Sequence, residues 1–142
     1  MSYKFGILMF VSMVLVSCKP LGDQTERPAC ASRPCTKEFR TISMKFLDKD
    51  GNQVTVDNYT ATNMRTGILL HDNSILVPGV YPPYYNVADD NDLDKLSDDG
   101  DDVQISATNS VTREIKTAVV KVSGGCNCHV SRVSGPDSLK FN

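Results

Sequence analysis

The stretch RTISMKFLDKDGNQVTV, Arg40 to Val56, decides the fold class. Ile42, Met44 and Phe46 alternate with Thr41, Ser43 and Lys45. A period of two sends the apolar set to one face of an extended chain and the polar set to the other, whereas a helix would need apolar residues every three to four positions. DKDGN then interrupts the pattern, with Gly51 free to take the left-handed backbone of a tight turn, and β-branched and aromatic residues resume in QVTVDNYTATN. The spacing predicts two strands joined as a hairpin.

The same punctuation repeats along the chain. GILL precedes the turn-like HDNS, SILV precedes Pro78-Gly79, and YYNVA follows. DVQISAT places Val103, Ile105 and Ala107 on one face, IKTAVVKV does the same with Ala118, Val120 and Val122, and CNCHVSRV closes the series as an expected last strand. Short strands divided by Gly, Pro, Asn and Asp clusters predict an all-β sandwich. DLDKLSDD supports at most a turn of helix, because aspartate side chains compete with the helical backbone and Gly100 stops it.

The first residues, MSYKFGILMFVSMVLVSC, carry one cation, Lys4, then an apolar run from Phe5 to Val16, then a small residue and a cysteine. That is the layout of a secretory signal peptide, and the run falls short of the roughly 20 apolar residues of a spanning helix. Leu15-Val16-Ser17-Cys18 resembles the lipobox of bacterial lipoproteins at all four positions. The resemblance implies removal of residues 1–17, a diacylglycerol on the Cys18 sulfur and an acylated amine, and so a membrane partner reached through a lipid anchor. Two or more chains anchor stably where one binds marginally, since each buried methylene contributes about 0.8 kcal/mol. In that family an aspartate after the lipidated cysteine favours the inner membrane. Lys19-Pro20 stands here, which implies the outer membrane, and no acidic pair follows Cys18 directly to signal surface export.

KPLGDQTERPACASRPCTK has neither strand nor helix periodicity and reads as a tether over residues 18–37, with a single domain over 38–142. Lys4 is the one charged residue ahead of Cys18, so 14 of the 15 cations remain against 17 carboxylates. A net negative chain argues against nucleic acid as a partner. The order strand, D-x-D-G-N-x-V turn, strand, PGVYPPYYNV and GDDVQISAT over residues 38–122 resembles the transthyretin-like or carboxypeptidase-regulatory-like modules of exported lipoproteins, of the kind found in Bacteroidota. The resemblance implies an Ig-like sandwich that binds, connects or stabilises.

With Cys18 committed to lipid, Cys30, Cys35, Cys126 and Cys128 remain. An even number in an exported chain points first to disulfides, and four cysteines allow three connectivities. If CNCHV is extended, Cys126 and Cys128 project to one side with Cα atoms about 6.6 Å apart, too far for a mutual bond unless Gly124-Gly125 bends the chain. Pairing across to Cys30 and Cys35 suits the geometry better. The competing readings are a four-thiolate zinc site, whose Cys126-x-Cys128 half has an unusually short gap, and a redox centre, which lacks a C-x-x-C.

ADDNDLDKLSDDGDDV packs eight aspartates into fourteen residues against one cation, Lys95. A hard cation would relieve their repulsion, and Asp90, Asp92, Asp94 and Asp99 are the candidate calcium ligands, set against the plainer reading of a solvated acidic loop. Neither this stretch nor Asp48–Asn52 completes an EF-hand loop. Tyr81, Tyr84 and Tyr85 read as core cover with hydroxyls at the rim rather than as a sugar platform. His71 and His129 are the only imidazoles, the turn-like LLHDN predicts a surface position for His71, and no hydrolase, zinc-protease or phosphate-loop motif is present. The expectation is therefore a lipid-anchored, non-enzymatic envelope module that binds or supports an envelope protein partner, with a metal-binding module as the alternative.

Overall fold

The computed structural model describes residue 30 and residues 34–73 and 83–142. The expected strand at SILV, Tyr81 and the lipobox with Cys18 lie outside the described residues. Two sheets face each other. One holds three strands in the order β4 (Tyr85–Asp89), β1 (Thr41–Leu47), β8 (Ser138–Lys140). The other holds five in the order β3 (Leu69–Asp72), β2 (Val56–Asn63), β5 (Asp101–Asn109), β6 (Ile115–Ser123), β7 (Ser131–Ser134). All pairings are antiparallel except that of β1 with β8, which is parallel. The chain is an all-β sandwich, and a short 3-10 helix, Asp90–Lys95, is inserted between β4 and β5.

The alternation in β1 and β5 settles which faces turn inward. Met44 and Phe46 are fully buried with Ile42 packed beside them, and Val103, Ile105 and Ala107 are fully buried opposite, next to Val120 and Val122 of β6. Phe46 stands edge-on to Tyr85 at 5.1 Å and to Tyr59 at 6.0 Å, with Phe141 at 6.1 Å. Such tilted and edge-to-face pairs satisfy the ring quadrupoles. The two buried phenols keep their polar ends bonded: Tyr59 donates to the Asn86 carbonyl at 2.7 Å, and Tyr85 Oη accepts from the Val56 N–H at 2.9 Å. Tyr85 is thus core cover, while Tyr84 is half exposed.

The expected hairpin is a correction. The Asp48–Asn52 turn forms, with Gly51 at φ +88° and the Asp48 carboxylate accepting from the N–H groups of Asp50 and Asn52. After one bridge between Leu47 and Gln53, however, the chain crosses to the other sheet. β1 and β2 both carry bulky inward rings, and these pack across the core rather than side by side. A register shift between Asp57 and Thr60, with Asn58 at φ +50°, swings Tyr59 inward three residues after buried Val56. Asparagine tolerates that backbone better than other non-glycine residues. The last expected strand is also shorter than CNCHVSRV: Gly125–His129 form turns and bends, and pairing begins at Ser131.

Candidate functional site

The polar chemistry of the molecule gathers around the 3-10 helix. Asp89 ends β4 in extended conformation and caps the helix: its carboxylate accepts from the Asn91 N–H, while Asp92 reaches back to accept from the Asp89 N–H at 3.0 Å. This reciprocal box explains why an aspartate-rich segment can begin a helix at all. A 3-10 helix advances about 120° per residue, so positions two apart point in different directions. Asp90 faces the cysteine segment, Asp92 faces the interior, and exposed Asp94 lines a cleft. Asp99 is exposed in the turn that follows. The four aspartates expected to share a calcium ion are therefore not brought together.

On the first side, Asp90 ties three segments. It accepts from the Arg40 N–H at 2.9 Å, the Val130 N–H at 2.9 Å and His129 Nδ1 at 2.7 Å. Partial burial works against its charge, but these donors outweigh it and hold the carboxyl below the usual range. His129 Nε2 lies 2.7 Å from Thr36 Oγ1. Asp90, His129 and Thr36 thus stand in the order of a carboxylate, base and hydroxyl relay, yet neither Thr36 nor His129 lines the cleft. Their arrangement ties the incoming segment down.

Covalent bonds reinforce that tie. Cys30 is bonded to Cys126 and Cys35 to Cys128, with Cα separations of 5.3 and 5.4 Å. Cross-pairing between the tether and the loop between β6 and β7 is thus the arrangement present, and it leaves none of these four sulfurs as a thiolate for zinc. Gly124 and Gly125 lead into the turn that carries the two cysteines. A Cβ on Gly124 would sit 2.7 Å from Leu96 Cβ, and one on Gly125, whose φ is +61°, would meet Asp98 Oδ1 at 1.9 Å. Both positions need a bare Cα because the loop lies directly on the acidic segment, where the Cys126 N–H donates to Asp98 at 2.6 Å.

On the interior side, His71 belongs to β3 and is mostly buried, not in a surface turn as its sequence setting suggested. Its Nε2 lies 2.8 Å from Asp92 Oδ2 and 3.7 Å from Asp89 Oδ2. Lys95 donates to the other Asp92 oxygen at 2.7 Å. Burial pushes the Asp92 carboxyl up, but His71, Lys95 and the Asp89 N–H more than reverse this and hold it at about 2. Asn86 Nδ2 completes the group, 2.8 Å from Asp89 Oδ2 and 3.4 Å from His71 Nδ1. Among the described residues, His71, Asp89 and Asp92 are the set whose ligand atoms converge, all within 4.8 Å of one another.

A third knot closes the helix. Asp101 accepts from Arg65 through two nitrogens at 2.7 Å, from Asn63 Nδ2 at 2.7 Å and from the Ser97 hydroxyl and N–H. The Arg65 guanidinium, opposed by partial burial and helped by Ser97 and Asn63, holds its carboxyl far below the usual carboxylate range. Between this knot and the Cys30–Cys126 bridge lies a cleft of about 640 Å³, with Ile68, Leu93 and Leu96 among its lining and Arg65 and Asp94 at its margin. Sequence reasoning missed Asn63, Arg65, Asn86 and Asp89 as parts of these networks. None carries a local signal, and only the meeting of β2, β3, β4 and β5 assembles them. No family model, no curated protein and no solved structure matches the chain.

Proposed function

We propose that this chain is a lipid-anchored module of the bacterial cell envelope, of the transthyretin-like or Ig-like kind, that acts without catalysis as a binding or structural accessory to another envelope protein. The observation that carries the reading is the pair of disulfides tying the segment after Cys18 to the loop between β6 and β7. Bonds of this kind persist in oxidising compartments outside the cytosol. They also make the tether continuous with the folded body, so a load on an anchored terminus would pass through covalent bonds. No helix among the described residues is long and apolar enough to cross a membrane. Attachment in this reading falls to acyl chains on Cys18, with Lys19-Pro20 directing the product to the outer membrane. The net charge of −2 and the absence of a basic stripe in the sequence favour a protein partner over nucleic acid.

The test is fractionation of cells making Cys18→Ser beside the unaltered chain, with mass measurement of the mature terminus. The unaltered chain is expected to sediment with membranes, to resist a salt wash and to carry acyl mass on Cys18. Cys18→Ser that remains membrane-bound after the wash, or a terminus without acyl mass, defeats the reading.

A further inference from the structure

We propose that His71, Asp89 and Asp92 form a binding site for a divalent first-row transition metal ion such as Zn²⁺, with the Asn86 amide as a fourth group beside it. The distances already suit an ion. With bonds of about 2.1 Å, ligand atoms 2.8 and 3.7 Å apart subtend angles of about 84° and about 124° at the metal, which lie within the scatter of four- and five-coordinate sites. The ligands come from three rigid places: β3 carries His71, the end of β4 carries Asp89, and the capped helix carries Asp92. The capping box and Lys95 fix both carboxylates while each keeps an Oδ2 facing the imidazole.

Asn86 is the neighbour that can set the imidazole in its metal-binding tautomer. It is 6% exposed, its amide abuts both Asp89 and His71, and its Oδ1 is a buried oxygen with no hydrogen-bond partner. Buried oxygens are seldom left so. Nδ2 faces the group and Oδ1 points away from it; a half-turn of the amide would set the oxygen 3.4 Å from His71 Nδ1, where it accepts that nitrogen's proton and leaves Nε2 free for an ion. Charge points the same way. Asp89 and Asp92 bring two negative charges, Lys95 returns one, and Asp90 is turned away toward His129. Imidazole among the donors selects a transition ion over calcium or magnesium, which take oxygen ligands. The side chains of His71 and Asp89 are 18% and 11% exposed, so the group is reachable from one side. This site is independent of the anchor at Cys18, and a failure of either leaves the other standing.

The test is calorimetric titration of Zn²⁺ into the full chain with both disulfides intact. One ion per chain is expected to bind. His71→Gln and Asp92→Asn should each weaken binding on the order of 100-fold or more, and Asn86→Ala about 10-fold. His129→Gln, on the opposite side of the helix, should bind as the unaltered chain does. Co²⁺ added to the unaltered chain should develop visible absorption and shift the ring signals of His71, a readout that survives a variant's failure to fold. The site is overturned if the unaltered chain takes up no ion, if His71→Gln and Asp92→Asn bind normally, or if Co²⁺ perturbs His129 in place of His71.

Discussion

Removing the disulfides one at a time and together should give losses of stability that are not additive. The bridges span 96 and 93 residues of sequence and enclose the same strands, so each acts on nearly the same loop of the unfolded chain. In the chain-entropy treatment a first cross-link closing a loop of this size contributes about 4.7 kcal/mol at 25 °C. The second then closes only a small ring, residues 30–35 joined to 126–128. By the same relation it adds about 2.5 kcal/mol. Either Cys30→Ala with Cys126→Ala, or Cys35→Ala with Cys128→Ala, should therefore cost about 2.5 kcal/mol, while the fourfold variant should cost about 7 kcal/mol. The hydrogen bonds of His129 with Asp90 and Thr36 do not involve the sulfurs and are expected to keep the incoming segment seated in the variants. Urea unfolding of the four species checks this, with the slope of unfolding free energy rising in the fourfold variant as its unfolded chain expands. Equal and additive losses, or a fourfold variant no worse than either pair alone, would refute the shared-loop argument.

Asp101→Asn should lose roughly 2–4 kcal/mol in urea, because the Arg65, Asn63 and Ser97 donors all address a charged carboxylate. The folded carboxyl titrates below its unfolded counterpart, so its stabilisation is complete above about pH 4 and fades as pH falls toward the folded value. The unaltered chain should accordingly show a steeper acid decline than Asp101→Asn; parallel curves would show that the charge matters little. Gly125→Ala should cost roughly 1–3 kcal/mol through its positive φ and its close approach to the Asp98 backbone nitrogen at 2.9 Å. It should also slow re-formation of the Cys30–Cys126 bond, measured by thiol trapping during oxidative refolding. Unchanged stability and bond formation would mean that the loop relaxes freely.

Most of the fold was legible because its signals are local. The alternation in RTISMKF and DVQISAT reports which face meets the core regardless of what lies there, since successive side chains of a regular strand point to opposite faces. The glycine in DKDGN takes the positive φ it was expected to take. Pairing order was not legible: β1 and β2 look like a hairpin, but the short range of the turn signal does not say whether two strands share a sheet or face each other. The disulfides were half legible. Cysteine number and position implied bridges from the tether to the last segment, but which cysteine joins which is fixed only where the two segments meet in space. The acidic run was the least legible. Its composition suggested that Asp90, Asp92, Asp94 and Asp99 share one ion, but the helix sends Asp90 to the Val130 N–H, Asp92 to Lys95 and Asp94 to the cleft.

By itself, the order of residues determined that the chain folds as strands and that Asp48–Asn52 turns, and it pointed first to cross-linked cysteines, because backbone sterics, side-chain alternation and thiol number act within a few neighbours. Tertiary structure alone decided that His71, from a stretch resembling a surface turn, meets Asp89 and Asp92 from about 20 residues away, and that Asp90 and Asp101 serve other partners. Hydrogen bonds and ion pairs have a reach of only a few ångströms, so which groups find one another is settled by the packing of the two sheets and not by their spacing along the chain.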